Sequence, residues 1–143
     1  MIHPGSGNPH KCLAVKRLVS LIKRLVNEKG CKVILCEGPA DTKIISELQL
    51  HLWKISCEIL KEANLSKVVQ VLLGSNVFIG HDSGLTHLAA IFGVPTIALF
   101  GPTSSQRWGP RGPSVDVVYS ERCQCEDWDS IQHCQDKICL SHS

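Results

Sequence analysis

The chain has 143 residues, of which 43% are hydrophobic and 20% are charged, and its net charge is +2. This size and composition predict one globular domain with a substantial core. The small net charge and the lack of an aromatic-plus-basic platform argue against nucleic acid as a partner. There is no run of 18 apolar residues and no signal-like start in the sequence, so we expect a cytoplasmic protein.

The first residues read as the end of a strand followed by a glycine-rich loop, Gly5-Ser6-Gly7, with Lys11 shortly after it. Such a loop offers amide groups and a hydroxyl to a phosphate, and Lys11 adds a positive charge. The loop is not a P-loop, because no Gly-Lys-Ser/Thr follows at the required spacing. A domain rarely begins at the end of a strand, so we expect the chain to be the second half of a longer protein.

Residues 13–27 carry apolar side chains at helical spacing, with Lys16, Arg17, Lys23 and Arg24 on the opposite face. This pattern predicts an amphipathic helix that ends at Gly30. A basic helix face is found either in contact with solvent or in contact with acidic lipid headgroups, and both interpretations stay open.

Residues 32–36 predict the next strand, and its exit loop leads to Asp41 at the start of a helix. Asp41 has two interpretations: a carboxylate that stabilises the helix start, or an acceptor for the hydroxyl groups of a ribose. A short strand is predicted at 53–56, and a helix at 65–73 ends at Gly74.

Residues 78–103 predict a strand, a turn, a helix and a second buried strand, in that order. The turn contains Asp82, Ser83 and Gly84, and His87 follows one helical turn later. A helix N-terminus at the carboxyl edge of a parallel sheet binds anions, so the turn is a candidate diphosphate site. The alternative is that Asp82 and Ser83 only cap the helix and that His87 is a packed core histidine.

The end of the chain contains Cys123, Cys125, Cys134 and Cys139. Four cysteines within this distance could form a tetrahedral zinc site, although their spacing is not that of two CxxC knuckles. Disulfides and free thiols are the alternatives, and we expect no metal site. These features divide the chain into a Rossmann-like domain at 1–120 and a cysteine-rich segment at 121–143.

Several short motifs then occur in a recognisable order. They are His3-Pro4-Gly5-Ser6 with Lys11, Gly38-Pro39-Ala40-Asp41, Gly80-His81-Asp82-Ser83-Gly84-Leu85-Thr86-His87-Leu88-Ala89-Ala90, Leu99-Phe100-Gly101-Pro102-Thr103 and Trp108-Gly109-Pro110. Together they resemble glycosyltransferase family 9, the ADP-heptose:lipopolysaccharide heptosyltransferases. The chain departs from that family at Cys12 and Leu13, where a basic residue and a tryptophan are usual.

The resemblance implies a B-type glycosyltransferase fold, in which two Rossmann-like domains face each other across a cleft. This chain resembles the second, donor-binding domain, so the implied fold is an α/β parallel sheet covered by helices on both faces. The implied donor-binding residues are Ser6, Lys11, Asp41, Asp82, Ser83, Gly84 and His87. Ser6 and Lys11 would contact the phosphates, and Asp41 would lie near the ribose. The remaining four would hold the diphosphate and the transferred sugar.

The implied reaction is transfer of heptose from ADP-heptose, or another nucleotide sugar, to a lipopolysaccharide core acceptor, by direct displacement with inversion. No cofactor is required. The general base and the acceptor site belong to the N-terminal domain of the family, so we expect this chain alone to be inactive. The implied location is cytoplasmic, with peripheral contact at the inner face of the inner membrane as a further hypothesis.

Two other functions stay open at this point. One is a nucleotide-binding or partner-binding module without catalysis, and the other is a domain similar to nucleotide-sugar 2-epimerases. A serine hydrolase is disfavoured, because Gly80-His81-Asp82-Ser83-Gly84 lacks the Gly-x-Ser-x-Gly spacing.

Overall fold

The computed structural model describes residues 1–119, 128–134 and 140. Its strands are β1 (Ile2–His3), β2 (Val33–Cys36), β3 (Cys57–Leu60), β4 (Phe78–His81), β5 (Thr96–Phe100) and β6 (Val115–Tyr119). Its helices are α1 (Val15–Asn27), α2 (Thr42–His51), α3 (Leu65–Leu73), α4 (Gly84–Ile91), α5 (Ser105–Trp108) and α6 (Trp128–His133). A single 3-10 turn, Pro9–Lys11, precedes α1.

The six strands form one parallel sheet in the order β3-β2-β1-β4-β5-β6. The strands β2 and β3 therefore follow on one side of β1, and β5 and β6 follow on the opposite side of β4. The order reverses between these two strands, which lie side by side with His3 opposite Gly80. In sheets of this kind, ligands bind in the crevice outside the carboxyl ends of the strands at the point of reversal.

Helices cover both faces of the sheet. Neighbouring residues of a strand point to opposite faces, and here they enter different hydrophobic clusters. Ile2 and Ile79 join a cluster that includes residues of α1 and α2, whereas Met1 and Phe78 join one that includes residues of α3 and α4. The predicted α/β Rossmann-like parallel sheet with helices on both faces is thus confirmed.

Two strands differ from the prediction. The strand predicted at 53–56 lies at Cys57–Leu60 instead, because the Ile55 N–H donates to the Leu52 carbonyl at 2.7 Å and closes a turn after α2. The strand β6 has no counterpart among the predicted elements. It is an edge strand whose side chains are exposed or partly buried, so it lacks the apolar run that marked β5.

Most of the cysteine-rich segment lies outside the described residues, including Cys123, Cys125 and Cys139. Cys134 is described as a free, partly buried thiol. Within the described ranges, no group of three or more His, Cys, Asp or Glu side chains is arranged to hold a metal. The zinc, disulfide and domain-boundary predictions therefore stay predictions. Among the same residues, no helix has the length and apolar character needed to cross a membrane.

Candidate functional site

The loops that follow β1 and β4 enclose a cavity at the point where the strand order reverses. We call it the switch-point cavity, and its volume is about 420 Å³. It is lined by Ser6, Gly7, Asn8, Lys11, Asp82, Ser83, Gly84 and His87. The structure thus brings together six of the seven residues that the sequence predicted as donor-binding, namely Ser6, Lys11, Asp82, Ser83, Gly84 and His87.

Asp82 joins three loops at the edge of this cavity. Its Oδ2 accepts a hydrogen bond from Lys11 Nζ at 2.7 Å and one from Thr103 Oγ1 at 2.9 Å. Its backbone carbonyl accepts from Ser6 Oγ at 3.2 Å. The Asp82 side chain is only 11% exposed, so water screens the Lys11–Asp82 ion pair less than it would screen an exposed pair. Thr103 was not predicted as part of the site.

Ser83 occupies the N-cap position of α4, as predicted, but its side chain does not cap the helix. Its Oγ lies 3.3 Å from His3 Nδ1 and 3.1 Å from Thr86 Oγ1. The prediction that Asp82 or Ser83 caps α4 through its side chain is therefore wrong. Gly84, the first residue of α4, lines the switch-point cavity, and no side chain caps the start of this helix, which is the arrangement that binds anions at helix N-termini.

Asp41 is not brought together with the other six residues. It is buried at the start of α2, and its Oδ2 accepts from the Gly38 N–H at 2.8 Å and lies 2.9 Å from His3 Nε2. A Cβ atom at Gly5 would collide with this carboxylate. Asp41 thus fastens the loops after β1 and β2 to each other, and it neither caps α2 through its side chain nor lines the switch-point cavity.

The protonation of Asp41 reflects these contacts. Burial raises the pKa of its carboxyl group, but the hydrogen bonds from His3 and Gly38, together with the electrostatic effect of His3 and His81, lower the pKa below its ordinary value. The Asp41 carboxylate is therefore charged at neutral pH, and it already has hydrogen-bond partners within the protein, namely His3 and Gly38.

A second and larger cavity of about 760 Å³ opens beside the first one. It lies over the carboxyl ends of β1, β2 and β3 and is lined by His3, Cys36, Glu37, Gly38, Pro39, Thr42, Lys61, Glu62, Ala63, Leu65, Val68 and Leu85. His3 lines this larger cavity and contacts Ser83 of the switch-point cavity, so the two adjoin. The apolar Leu65, Val68 and Leu85 come from α3 and α4.

Two carboxylates that were not predicted as site residues, Glu37 and Glu62, line the larger cavity, and Glu37 is the one directly after β2. Its side chain is 6% exposed, accepts from Thr42 Oγ1 at 3.1 Å and lies 4.0 Å from Lys61 Nζ. Its position directly after β2 could have identified it, because the acidic residue that binds ribose in this type of sheet often follows that strand.

His81, the last residue of β4, is completely buried. Its Nε2 accepts a hydrogen bond from the Leu13 N–H at 2.9 Å. Burial, and to a lesser degree the nearby His3, lower the pKa of His81 to about 4, although backbone hydrogen bonds of Gly5 and His3 partly oppose this. His81 is therefore a neutral imidazole at physiological pH, as its role as an acceptor requires.

The comparison with known families agrees with this geometry. Residues 1–138 match the model of glycosyltransferase family 9 (heptosyltransferase). The chain belongs to glycosyltransferase family 9. Among curated family members, it is 31% identical over 111 residues to lipopolysaccharide heptosyltransferase 1 of Campylobacter coli, covering 75% of this chain and 32% of that protein. It is 30% identical over 82 residues to lipooligosaccharide heptosyltransferase 2 of Haemophilus influenzae, covering 57% and 24%.

Solved structures of heptosyltransferases share the fold. E. coli ADP-heptose LPS heptosyltransferase II aligns with a TM-score of 0.77 and 27% identity, covering 83% of this chain and 37% of that one. E. coli heptosyltransferase WaaC, solved with ADP, aligns with a TM-score of 0.74 and 24% identity, covering 82% and 36%. The chain spans about a third or less of the length of the curated relatives it matches.

The buried histidine predicts how stability depends on pH in this family 9 domain. A pKa of about 4 in the folded state, against 6.5 as the ordinary value, means that the unfolded chain binds the proton more readily. His81 should therefore reduce the free energy of unfolding by on the order of 3 kcal/mol as pH falls from 6.5 to 4. Urea unfolding at several pH values measures this loss.

The variant His81→Gln should flatten the stability profile between pH 6.5 and 4, and His51→Gln, at an exposed position of α2, serves as the control. An equally steep loss in wild type and His81→Gln would contradict the role given to His81.

Asp41 contributes in a separate pH range. Its lowered carboxyl pKa gives stability that is lost only as pH falls below about 4.

Proposed function

We propose that this chain is the donor-binding domain of a glycosyltransferase that transfers heptose from ADP-heptose to a lipopolysaccharide core acceptor. The observation that carries the proposal is the pair of adjoining cavities at the strand reversal: a polar one beside the N-terminus of α4, and a larger one with apolar walls. A nucleoside diphosphate likewise has two parts, a charged diphosphate and a less polar nucleoside. The names of the family members that the chain resembles, among them the E. coli ADP-heptose LPS heptosyltransferase II, supply the sugar and the acceptor.

The switch-point cavity suits the diphosphate. Lys11 brings a positive charge to its wall, Ser6 brings a hydroxyl group, and α4 directs its N-terminal amides and the positive end of its dipole toward the same space. Ser83 and His87 add polar atoms at the mouth. In transfer, the nucleoside diphosphate departs with growing negative charge, and preorganised donors of this kind stabilise that charge.

The larger cavity suits the nucleoside. Its volume lies in the range of small-molecule sites, and apolar walls with a few polar groups are typical of such sites. Leu65, Val68 and Leu85 offer a surface for a nucleobase, and Glu37 offers a carboxylate oxygen for a ribose hydroxyl. Asp41 does not suit that ribose contact, because its carboxylate is held by His3 and Gly38.

In the proposed reaction, an acceptor hydroxyl oxygen attacks the anomeric carbon of the heptose, and the bond from that carbon to the diphosphate oxygen breaks. The electron pair leaves with ADP, and the hydroxyl proton passes to a base. Among the residues that line the switch-point cavity, the one carboxylate is Asp82, and it is engaged by Lys11 and Thr103. We therefore place the base on the acceptor domain of the complete enzyme and propose that this domain alone does not catalyse transfer.

No cofactor is needed in this scheme, because Lys11 and the N-terminus of α4 supply the positive charge that a metal would otherwise provide. The family membership and the relatives' names favour a glycosyltransferase over a 2-epimerase-like domain or a partner-binding module without catalysis.

The first prediction of the proposal is binding of ADP. We expect isothermal titration calorimetry to give a Kd of roughly 0.1 to 1 mM, because a helix N-terminus and one or two charged hydrogen bonds contribute a few kcal/mol. Lys11→Ala should weaken binding at least about tenfold, since it removes a charged donor and leaves Asp82 uncompensated.

The matched control is Lys43→Ala, which removes the same charge from an exposed position of α2 and should leave the affinity unchanged. Added EDTA should also leave it unchanged if no metal takes part. The absence of ADP binding at millimolar concentration would refute the donor-binding function, and equal affinities of the Lys11→Ala and Lys43→Ala variants would refute the role of Lys11.

The second prediction concerns catalysis. Incubated with ADP-heptose and a lipopolysaccharide core acceptor, the chain should release no ADP above the blank, while still binding ADP, because the proposal places the base and the acceptor site on the acceptor domain. A coupled ADP-release assay measures this, with a full-length family 9 heptosyltransferase as the positive control.

Turnover by the chain alone would show that the base lies within it.

The third prediction concerns location. We propose a cytoplasmic protein whose helix α1 contacts anionic lipid, and the exposed cations Lys16, Lys23 and Arg24 on one helix face support this. Cosedimentation with phosphatidylglycerol vesicles should exceed that with phosphatidylcholine vesicles and should decrease with added salt. Lys23→Glu/Arg24→Glu should abolish it, whereas Lys43→Glu/Lys67→Glu, with the same charge change on other helices, should retain most of it. Equal sedimentation with both lipids would contradict the proposed contact of α1 with anionic lipid.

A further inference from the structure

The segment that carries Lys11 is held to the sheet through its backbone. Within the segment, the Lys11 N–H donates to the Asn8 carbonyl at 3.0 Å and the Cys12 N–H donates to the Pro9 carbonyl at 3.2 Å. These local bonds shape the turn but do not fix its position on the sheet. Directly after the turn, the Leu13 N–H donates to His81 Nε2 at 2.9 Å, across 68 residues of sequence.

The protons at His81 can be assigned. Since Nε2 accepts from the Leu13 N–H, it carries no proton, and the neutral ring has its proton on Nδ1. Nδ1 is buried and has no well-oriented partner among the described residues, while the backbone of His3 and Gly5 lies beside the ring. The imidazole therefore lies between the backbone of His3 and Gly5 on one side and the Leu13 N–H on the other.

His81 also directly precedes, in sequence, the residue that pairs with Lys11. The next residue, Asp82, forms the ion pair with Lys11, and Leu13 lies two residues after Lys11. The two segments are therefore joined inside the protein by His81 and Leu13 and at the cavity by Asp82 and Lys11, and Ser6 Oγ adds a hydrogen bond to the Asp82 carbonyl. Without the inner bond, the backbone beside Lys11 would lose its hydrogen bond to the end of β4, and the long lysine side chain would lose more conformational freedom when it pairs with Asp82.

We propose that His81 is a positioning residue that, through its hydrogen bond to the Leu13 N–H, fixes Lys11 where the diphosphate of a nucleotide binds. This inference rests on the proposed function for its ligand, but the placement of Lys11 can be measured without one. His81 is too deeply buried to touch a nucleotide, and all of its effect on binding passes through the segment that carries Lys11.

Glutamine and methionine form a matched pair for the test. They are similar in length, but only glutamine carries an oxygen that can accept from the Leu13 N–H, and methionine adapts well to buried sites. ADP titration should give an affinity close to that of wild type for His81→Gln and an affinity about tenfold weaker for His81→Met. The melting temperature of each variant establishes that it is folded at the temperature of titration. If His81→Met does not fold, His81→Phe replaces it.

A double-mutant cycle separates positioning from a general structural role. In the Lys11→Ala background, His81→Met should cause no further loss of ADP affinity, because the group it positions is already absent. A second, additive loss would show that His81 acts on binding by another route and would overturn the proposal. So would a folded His81→Met protein that binds ADP as wild type does, in which case the donor-binding function itself would stand.

Lysine acetylation, read by mass spectrometry, tests the same idea without any nucleotide. Lys11 is 19% exposed in its ion pair with Asp82 and should react slowly in wild type and in His81→Gln. In His81→Met its rate should rise several-fold, while the rates of the exposed Lys23 and Lys43 stay constant. Equal rates at Lys11 in the three proteins would overturn the proposal, even if ADP binding had failed.

Discussion

The ion pair between Lys11 and Asp82 is the interaction on which the rest of the site depends. It joins the loops after β1 and β4, and Thr103 adds the loop after β5 through the same carboxylate oxygen. The parallel sheet makes this meeting possible, because its order reverses between β1 and β4 and leaves their carboxyl ends adjacent at a crevice. The fold thus supplies the crevice, and Asp82 determines how the loops around it are arranged.

The same ion pair limits how strongly the domain can hold an anion. An arriving diphosphate has to share Lys11 with Asp82, and the negative charge of that carboxylate opposes it. The amide groups of α4 carry no such opposing charge, since the Ser83 side chain turns toward His3 and Thr86 instead of capping them. The helix N-terminus is therefore the part of the site that is ready for a ligand, and Lys11 contributes only as far as its geometry is maintained.

The fold could be predicted well from the sequence, because apolar runs and helical spacing are local signals. Six of the proposed donor-binding residues could also be named, since the motifs around Ser6 and Asp82 each stand at a strand end. Asp41 could not be judged in the same way. Its partner His3 lies 38 residues away, and nothing in the sequence near Asp41 distinguishes a buried carboxylate from one that faces a ligand. The roles of Thr103 and His81 depend on similarly distant contacts, and β6 lacks the apolar run of a buried strand.

These distant contacts form a polar layer beneath the cavities, made of His3, Asp41 and His81. Buried polar groups are costly unless they are paired, and here Asp41 pairs with Gly38 and His3, while His81 pairs with Leu13 through Nε2. Protonation of His81 would remove the acceptor for the Leu13 N–H and would place a charge in a closed interior. The pH at which the domain loses stability and the order of the segment that carries Lys11 therefore depend on the same neutral imidazole, which couples the architecture beneath the site to the geometry of the site itself.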